Sequence, residues 1–137
     1  MTNQTKGTVL ITGASSGIGA IYAARFAARG HDLILVARNK DRLAALADKL
    51  TTQHGVKVRT LVADLTDRAG LSQVENVLKT DASITHLINN AGFGSAAPLA
   101  SASVEEMEKM VAINVTAPLR LACQWHFEMP QRPFRIA

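Results

Sequence analysis

The chain has 137 residues, the size of one domain that buries roughly two-thirds of its unfolded surface. Apolar residues make up 47% of it and charged residues 19%, a balance that is typical of folded globular proteins and argues against disorder. Fifteen Lys and Arg against eleven Asp and Glu give a net charge of +4, but these basic residues are scattered, which argues against nucleic-acid binding because that requires a basic cluster.

Short apolar runs alternate with longer helical patterns in the first half of the chain. Residues 8–12 (TVLIT) and 32–37 (DLILVA) are almost continuously apolar, which predicts strands that are buried on both faces. Residues 17–30 (GIGAIYAARFAARG) predict a helix between them, because large apolar residues recur four positions apart. These residues are Ile18, Tyr22 and Phe26. Residues 39–50 (NKDRLAALADKL) predict a second helix with leucines on one face.

The alternation continues in the second half of the chain. Residues 57–63 (KVRTLVA) predict a third strand, residues 69–79 (AGLSQVENVLK) a third helix, and residues 85–90 (THLINN) a fourth strand. The resulting order is βαβαβαβα. It predicts an α/β fold of the Rossmann-like, doubly wound kind, in which right-handed crossovers connect the strands of a parallel sheet.

A fourth helix is predicted after the last strand. Ser103 and Glu106 have the spacing of a capping box that starts a helix, and Pro118 should bend or shorten that helix. The helix is expected to pack through Met107, Met110, Val111 and Leu121. Residues 125–137 (WHFEMPQRPFRIA) show neither helical nor strand periodicity. We therefore expect a Rossmann portion over residues 1–124 and an atypical, frayed tail over residues 125–137.

Several classes of protein find no support in the sequence. The stretch before the first strand is short and polar and contains no apolar segment, which argues against a secretion signal. No apolar run approaches the roughly 20 residues of a membrane span. Cys123 is the only cysteine, so we expect a cytoplasmic protein without an internal disulfide, in which this residue lies in the core. The four histidines show no spacing that favours a metal site. They are His31, His54, His86 and His126.

Residues 9–19 (VLITGASSGIG) allow two interpretations. In the first, Ser15 lies in a G-x-S-x-G turn and is the nucleophile of a hydrolase, but this turn follows the first strand, so no earlier strand can supply an oxyanion loop. In the second, Gly13 makes the tight turn, Gly17 lets the backbone approach a pyrophosphate, and Gly19 permits close contact between helix and strand. The second interpretation fits the position of the motif, because the helix N-terminus then faces the phosphates.

The end of the second predicted strand indicates which dinucleotide would bind. A carboxylate at this position accepts the 2′-hydroxyl of the adenosine ribose, whereas an arginine accommodates a 2′-phosphate. The strand ends in Ala37 and Arg38, without an acidic residue. Arg38 can form two hydrogen bonds to a phosphate, and Ser15 can donate a third. The sequence therefore favours NADP(H) over NAD(H).

Four motifs in this order and spacing, TGASSGIG, VADLTD, NNAGFG and INVTAP, resemble the short-chain dehydrogenase/reductase family from Gly7 to about Gln124. The resemblance implies that Asp64 binds the adenine beside Leu65, that Asn90, Ala91 and Gly92 line the ribose side, and that Thr12 braces the glycine turn. The cofactor-binding residues are then expected to be Gly13, Ser15, Ser16, Gly17, Ile18, Gly19, Arg38, Asp64, Leu65, Asn90, Ala91 and Gly92.

Asn114 is the one catalytic residue that the resemblance assigns to this chain. In the family, the matching asparagine holds a water molecule of a proton relay. The competing interpretation is an amide that caps backbone near Pro118. Family members also use a serine and a Tyr-x-x-x-Lys pair, and the only tyrosine here is Tyr22, followed four positions later by Phe26. We therefore expect hydride transfer to be absent or very weak, because general acid–base catalysis is worth roughly 10²–10⁴-fold.

Two further expectations follow from the resemblance. In the strand order 3-2-1-4, without the family's later strands, the fourth strand becomes an apolar edge, which predicts marginal folding, or self-association through residues 86–90 or through the fourth helix. The change of composition after Gln124 suggests a truncated or frameshifted oxidoreductase. The alternative is a non-catalytic NADP(H)-binding or interaction module, with the aromatic residues of the tail as anchors.

Overall fold

The predicted parallel sheet is confirmed. The computed structural model of the chain describes residues 6–128. Strands β1 (Thr8–Thr12), β2 (Asp32–Ala37), β3 (Val58–Val62) and β4 (Ile84–Ile88) form one sheet in the order β3-β2-β1-β4, and every neighbouring pair is parallel. The first two strands have the bounds that the sequence predicts. All residues of β1 are buried, as expected of a central strand that is covered on both faces.

Helices cover both faces of the sheet. Helices α1 (Gly17–Ala28) and α2 (Lys40–His54) cover one apolar core, and α3 (Arg68–Thr80) covers the other. The two cores lie on opposite sides because alternate residues of each strand point to opposite faces. Val9 belongs to the first core and Leu10 to the second. The sheet is therefore the middle layer of three, as in doubly wound folds.

The buried face of α1 is different from the one that the large apolar residues suggest. Ile18 is 66% exposed and Tyr22 38% exposed, whereas Ala23 and Ala27 are buried. Small side chains on the inner face allow a helix axis to lie close to the strands, so alanine and glycine take the core positions here. The four-residue spacing of large residues predicted the helix correctly but not its orientation.

The predicted fourth helix is divided in two by a wide turn. Helix α4 (Val104–Val111) is followed by a π-helical segment, Ala112–Thr116, and then by α5 (Ala117–Glu128). Pro118 has no N–H group, and its ring would clash with the carbonyl of residue 114 in a regular α-helix. The wider π turn lies immediately before it, where a helix has to accommodate such a ring.

The packing expected of this helical region is confirmed for Leu121, which is fully buried, and is wrong for Val111, which is 55% exposed. Met107 and Met110 are only half-buried. The residues that pack inward instead are Ile113 and Ala117. The extra residue of the π turn changes the helical phase, so a regular 3.6-residue pattern does not identify the buried side here.

Helix α5 continues beyond Gln124, so the expectation of irregular structure from residue 125 onward is wrong for residues 125–128. Trp125 is buried, and its indole Nε1 donates a hydrogen bond to the carbonyl of Ile84 at 3.4 Å. The remaining residues of the predicted tail, 129–137, lie outside the described residues. Cys123, which we expected in the core, is exposed on α5.

The start of β4 is irregular. The pairing of β1 with β4 shifts register between Thr8 and Val9, and Trp125 covers the carbonyl of Ile84 at the start of the strand. The covered carbonyl hinders the addition of another strand at the first residue of this edge only. No helix among residues 6–128 is long and apolar enough to cross a membrane.

Candidate nucleotide-binding site

A cleft of about 740 Å³ lies at the carboxyl ends of the strands. In an open parallel sheet, ligands bind at this end, next to the point where the strand order reverses. The reversal here lies between β1 and β4, because β2 and β3 follow on the other side of β1. The cleft is lined by Gly13, Ser15, Ser16, Ile18, Val36, Ala37, Arg38, Asn39, Arg42, Ala63, Leu65, Asn90, Ala91, Gly92, Phe93 and Ile113.

Nine of the twelve residues predicted to bind cofactor line this cleft. They are Gly13, Ser15, Ser16, Ile18, Arg38, Leu65, Asn90, Ala91 and Gly92. Gly17 and Gly19 belong to the turn and helix that form one wall, and Asp64 precedes Leu65 outside the lining. The sequence motifs, which are up to about 80 positions apart, are therefore brought together by the sheet.

The glycine-rich turn is held against β4 by close backbone contacts. Gly13 has a φ of +64°, and a Cβ at this position would lie 2.9 Å from Nδ2 of Asn90. That same amide donates a hydrogen bond to the carbonyl of Gly13 at 3.2 Å. A Cβ on Gly19 would overlap the Gly13 carbonyl oxygen. We expected Gly19 to permit close contact between helix and strand, and the contact that it permits is with the glycine turn itself. Only a residue without a side chain fits there.

Thr12 braces a different turn from the one that we expected. Its hydroxyl accepts hydrogen bonds at 3.0 Å from the backbone N–H groups of Asn90 and Ala91, and it donates one to the carbonyl of Ile88 at 3.4 Å. The side chain is buried. Thr12 therefore fixes the turn after β4, whereas Asn90 holds the glycine turn after β1.

The N-terminus of α1 is open toward the cleft. Ser16 is its N-cap residue, but the side chain makes no capping hydrogen bond, and the first turn contains no acidic residue. Gly17 has a φ of +55°, and the space next to its Cα is empty. The first backbone N–H groups of a helix have no intrahelical acceptor and carry a partial positive charge, which favours an anion.

The hydrolase interpretation of Ser15 gains no support. Ser15 lines the cleft, but no histidine is among the described residues that line it. His31 and His86 contact each other instead, with ring centroids 5.2 Å apart. A serine nucleophile requires an adjacent general base within hydrogen-bond reach, and the cleft offers none among residues 6–128.

Two arginines lie where β2 meets α2. Arg38 follows the strand, and Arg42 lies in the first turn of the helix; both line the cleft. Asn39 caps α2, because its Oδ1 accepts a hydrogen bond from the backbone N–H of Arg42 at 3.0 Å. The sequence analysis missed Arg42. A second arginine in the first turn of the helix that follows Arg38 was the signal that could have identified it.

Asp64 organises the turn after β3. Its Oδ1 accepts hydrogen bonds from the hydroxyl of Thr66 at 2.7 Å and from the backbone N–H of Thr66 at 2.9 Å. The pKa of the Asp64 carboxyl is lowered, first by the hydroxyl bond, with further help from the positive charges of Arg38 and Lys109. Hydrogen bonds and positive charges favour the ionised form and outweigh the opposing effect of burial.

Asn114 is exposed in the π-helical segment, and the neighbouring Ile113 lines the cleft in its place. Its Nδ2 donates a hydrogen bond to the carbonyl of Phe93 at 2.6 Å. A Cβ on Gly92 would lie 2.5 Å from Asn114 Oδ1. The amide therefore holds the loop after β4. The backbone near Pro118, which the competing interpretation assigned to Asn114, bonds to another amide: the carbonyl of Pro118 accepts from Asn89 Nδ2 at 3.4 Å.

The family is shown by comparison with known proteins. A family model described as short chain dehydrogenase matches residues 7–133. The chain belongs to the short-chain dehydrogenase family. The match extends past Gln124, the position where we expected the resemblance to end.

Within residues 6–128, no group of three or more His, Cys, Asp or Glu is placed to hold a metal ion.

Solved structures of the family share this architecture. A short-chain dehydrogenase from Sphingobium yanoikuyae in complex with NADPH is 52% identical, with a TM-score of 0.89 over 91% of this chain and 49% of that one. An alcohol dehydrogenase from Comamonas testosteroni, specific for bulky-bulky ketones, is 44% identical, with a TM-score of 0.91 over 93% of this chain and 51% of that one.

Curated relatives are considerably longer. A fatty acyl-CoA reductase of Mycobacterium tuberculosis is 42% identical over 117 residues, which is 82% of this chain and 39% of the relative. A very-long-chain 3-oxoacyl-CoA reductase of Meyerozyma guilliermondii is 35% identical over 82% of this chain and 34% of the relative. The chain thus spans about half the length of the solved structures and somewhat over a third of these relatives.

Proposed function

We propose that this chain is the NADP(H)-binding portion of a short-chain dehydrogenase, whose complete form transfers hydride between NADP(H) and a carbonyl or alcohol substrate. The cleft at the carboxyl ends of the strands is the observation that carries the proposal. It brings together the glycine turn, the open N-terminus of α1 and Arg38. Neighbours with the same fold include one in complex with NADPH and an L-sorbose reductase from Gluconobacter frateurii complexed with NADPH and L-sorbose.

The residues present fit a dinucleotide. No side chain fills the space next to Gly17, so a pyrophosphate can approach the backbone N–H groups at the start of α1. Arg38 would bind the 2′-phosphate, and Leu65 and Ala91 would contact the adenosine. Asn90 would hold the glycine turn in the shape that the phosphates require. NADPH, when bound, supplies the hydride.

We further propose that the chain binds NADPH without reducing a carbonyl substrate at a measurable rate. Its sequence contains no Tyr-x-x-x-Lys, so no tyrosine of that motif can protonate a substrate oxygen. Asn114 donates to the carbonyl of Phe93 and would position the loop after β4 and, in the complete enzyme, a water of the proton relay.

Titration calorimetry with NADPH and NADH tests the binding function. We expect NADPH to bind at least about tenfold more tightly, because exposed arginines that contact a phosphate contribute charge-assisted hydrogen bonds. An assay of NADPH oxidation with a small ketone should give no signal above the buffer. Equal affinity for the two dinucleotides would contradict the NADP(H) preference, and failure to bind either would contradict the function itself.

We also propose self-association through the outer edge of β4. Within residues 6–128 no strand pairs with this edge, and the strand contains Leu87 and Ile88, which belong to the two cores on opposite faces of the sheet. The bond from Trp125 to Ile84 covers its start, which leaves residues 85–88 to associate. Sedimentation velocity that shows a single, thermally stable monomer at all concentrations would refute this.

A further inference from the structure

We propose that the ring of Phe93 stacks on the nicotinamide of the bound dinucleotide, so that this chain contacts the nicotinamide half as well as the adenosine and the phosphates. This inference rests on the proposed NADP(H)-binding function and adds a contact to it. It starts from the position of Phe93, which follows β4 and lines the cleft with a ring that is 38% exposed.

The side chain of Phe93 has no part in the packing of the fold. It belongs to neither of the two apolar cores formed by residues 6–128, and the ring contacts found in this part of the chain join other side chains. It is also the only aromatic residue among the described residues that line the cleft. An aromatic ring that is exposed inside a cleft suits a flat ligand surface.

The backbone that carries Phe93 is held in place from two directions. The Nδ2 of Asn114 donates to the carbonyl of Phe93 at 2.6 Å, and the Oδ1 of the same amide lies against Gly92, where a Cβ would be 2.5 Å away. Two residues before Phe93, the N–H of Ala91 donates to Thr12 Oγ1 at 3.0 Å. A ring on a fixed backbone loses less conformational freedom when a ligand binds, and this favours binding.

The strand order places Phe93 on the side of the cleft where the nicotinamide half would lie. Arg38, which would bind the 2′-phosphate, follows β2, and Leu65 follows β3, so the adenosine would lie on that side of β1. In doubly wound folds, a dinucleotide lies across the point where the strand order reverses, with one mononucleotide half on each side. That point lies between β1 and β4, so the other half would lie beside β4 and Phe93.

The nicotinamide ring is a suitable partner for this side chain. It is flat and aromatic, and offset stacking of two aromatic rings adds an attraction to the gain from burying their apolar faces. Stacking on a heteroaromatic base does not require a hydrogen bond or a charge on the protein. The contribution of Phe93 is therefore separable from that of the groups that bind the phosphates.

Leu99 provides a matched control. It lies in the same segment between β4 and α4 and is 76% exposed, but it does not line the cleft. If exposed apolar surface in this segment promoted binding without a defined contact, substitution of either residue by alanine would have a similar effect. If Phe93 stacks on the nicotinamide, only the change at residue 93 should matter.

The test uses NADPH and 2′,5′-ADP, two probes that share the adenosine and its 2′-phosphate and differ in the nicotinamide half. Titration calorimetry measures their affinities for the complete 137-residue chain and for the variants Phe93→Ala, Phe93→Tyr and Leu99→Ala. We expect Phe93→Ala to weaken NADPH binding about tenfold and to leave 2′,5′-ADP binding unchanged. Phe93→Tyr should bind NADPH within twofold of the unmodified chain, because it keeps the ring.

Each other outcome has a distinct meaning. NADPH binding by Phe93→Ala that stays within twofold of that by Leu99→Ala overturns the stacking and leaves the proposed function standing. A parallel loss of 2′,5′-ADP affinity in Phe93→Ala also overturns it, because the ring would then contact the adenosine. Failure of the unmodified chain to bind either probe overturns both proposals.

Circular dichroism of each variant checks folding, which substitutions outside both cores should preserve. If Phe93→Ala does not fold, Phe93→Leu takes its place, because leucine keeps most of the apolar volume and removes the aromatic face. We then expect a smaller loss of NADPH affinity, about threefold, again without a change in 2′,5′-ADP binding. Unchanged NADPH affinity in a folded Phe93→Leu variant would overturn the stacking.

Discussion

Two helices begin at the same cleft, and they offer an anion different groups. The start of α1 has no side-chain cap and no acidic residue, so its backbone N–H groups are open. The start of α2 is capped by Asn39, which binds the N–H of Arg42, and it carries the Asp41 carboxylate, so it is less open to an anion than the start of α1. Backbone donors are thus available at α1 and arginine side chains at α2.

The difference matches the two phosphate groups of the proposed ligand. A pyrophosphate is common to both dinucleotides and is suited to backbone donors, which only a substitution by proline removes. A 2′-phosphate is present in only one of them and is suited to side chains, which can be exchanged without change to the fold. We therefore expect general affinity and cofactor preference to reside in separate helix starts, each of which can be altered alone.

The largest expected effect comes from Gly19→Ala. The new Cβ would overlap the carbonyl oxygen of Gly13, so the turn must move, which we expect to cost about 2–3 kcal/mol of stability. Binding of NADPH and NADH should be lost together. Urea denaturation and calorimetry measure the two effects.

Gly17→Ala is the matched control for this change. Its Cβ would enter empty space, so only the left-handed φ of +55° is strained, at a cost of about 1–2 kcal/mol. This variant should lose dinucleotide affinity with a smaller loss of stability than Gly19→Ala. Equal destabilisation by the two substitutions would show that the contact of Gly19 with the turn is unimportant.

A smaller effect separates the two caps. Asn39→Ala removes the acceptor of the Arg42 N–H and should lower the free energy of unfolding by about 1 kcal/mol. Ser16→Ala should leave stability nearly unchanged, because the Ser16 side chain makes no capping bond. Thermal denaturation of both variants measures these changes in stability. A loss of stability in Ser16→Ala as large as that in Asn39→Ala would mean that the Ser16 side chain does cap α1.

The smallest effect concerns acid stability at Asp64. Its pKa is lowered in the folded chain, so its contribution to stability is complete above the unfolded pKa of about 3.9 and is lost as pH falls through the folded pKa. Thr66→Val removes the hydroxyl bond and should raise the Asp64 pKa toward its ordinary value. Stability at pH 7 should fall by less than about 1 kcal/mol, and stability at a pH below both the folded and the unfolded pKa of Asp64 should not change.

NMR titration of the Asp64 carboxyl measures this pKa directly. Thr66→Ser keeps the hydroxyl that donates to Asp64 and is the control. A pKa that stays low in Thr66→Val would assign the shift to the backbone bond from residue 66 or to the nearby positive charges.

The sequence predicted the sheet more accurately than the packing of the helices. Strands β1 and β2 were predicted residue by residue, because continuous apolar runs between polar residues and glycines define a buried strand without any knowledge of its neighbours. The prediction of the inward face of α1 was wrong, because the choice between alanines and large residues depends on how closely the helix approaches the sheet. That distance is a tertiary property.

The site shows the same division. Gly13 was predicted from the spacing of the glycine turn, Arg38 from its place at the end of the second strand, and Asn90 from the family resemblance. The bonds from Thr12 to the turn after β4 were missed, because they join residues 78 and 79 positions apart. Trp125 was assigned to an irregular tail for a similar reason: its burial depends on contact with β4, and nothing in its local sequence indicates that contact.

Trp125 is also the only tryptophan of the chain. Its indole is buried and bonded to the first residue of β4, at the amino end of the sheet, whereas the cleft lies at the carboxyl end. Intrinsic fluorescence excited at the indole band therefore arises from one known location. A red shift of this emission would report the release of α5 from the sheet, and a signal that stays constant during a nucleotide titration would show that the two ends of the sheet respond separately.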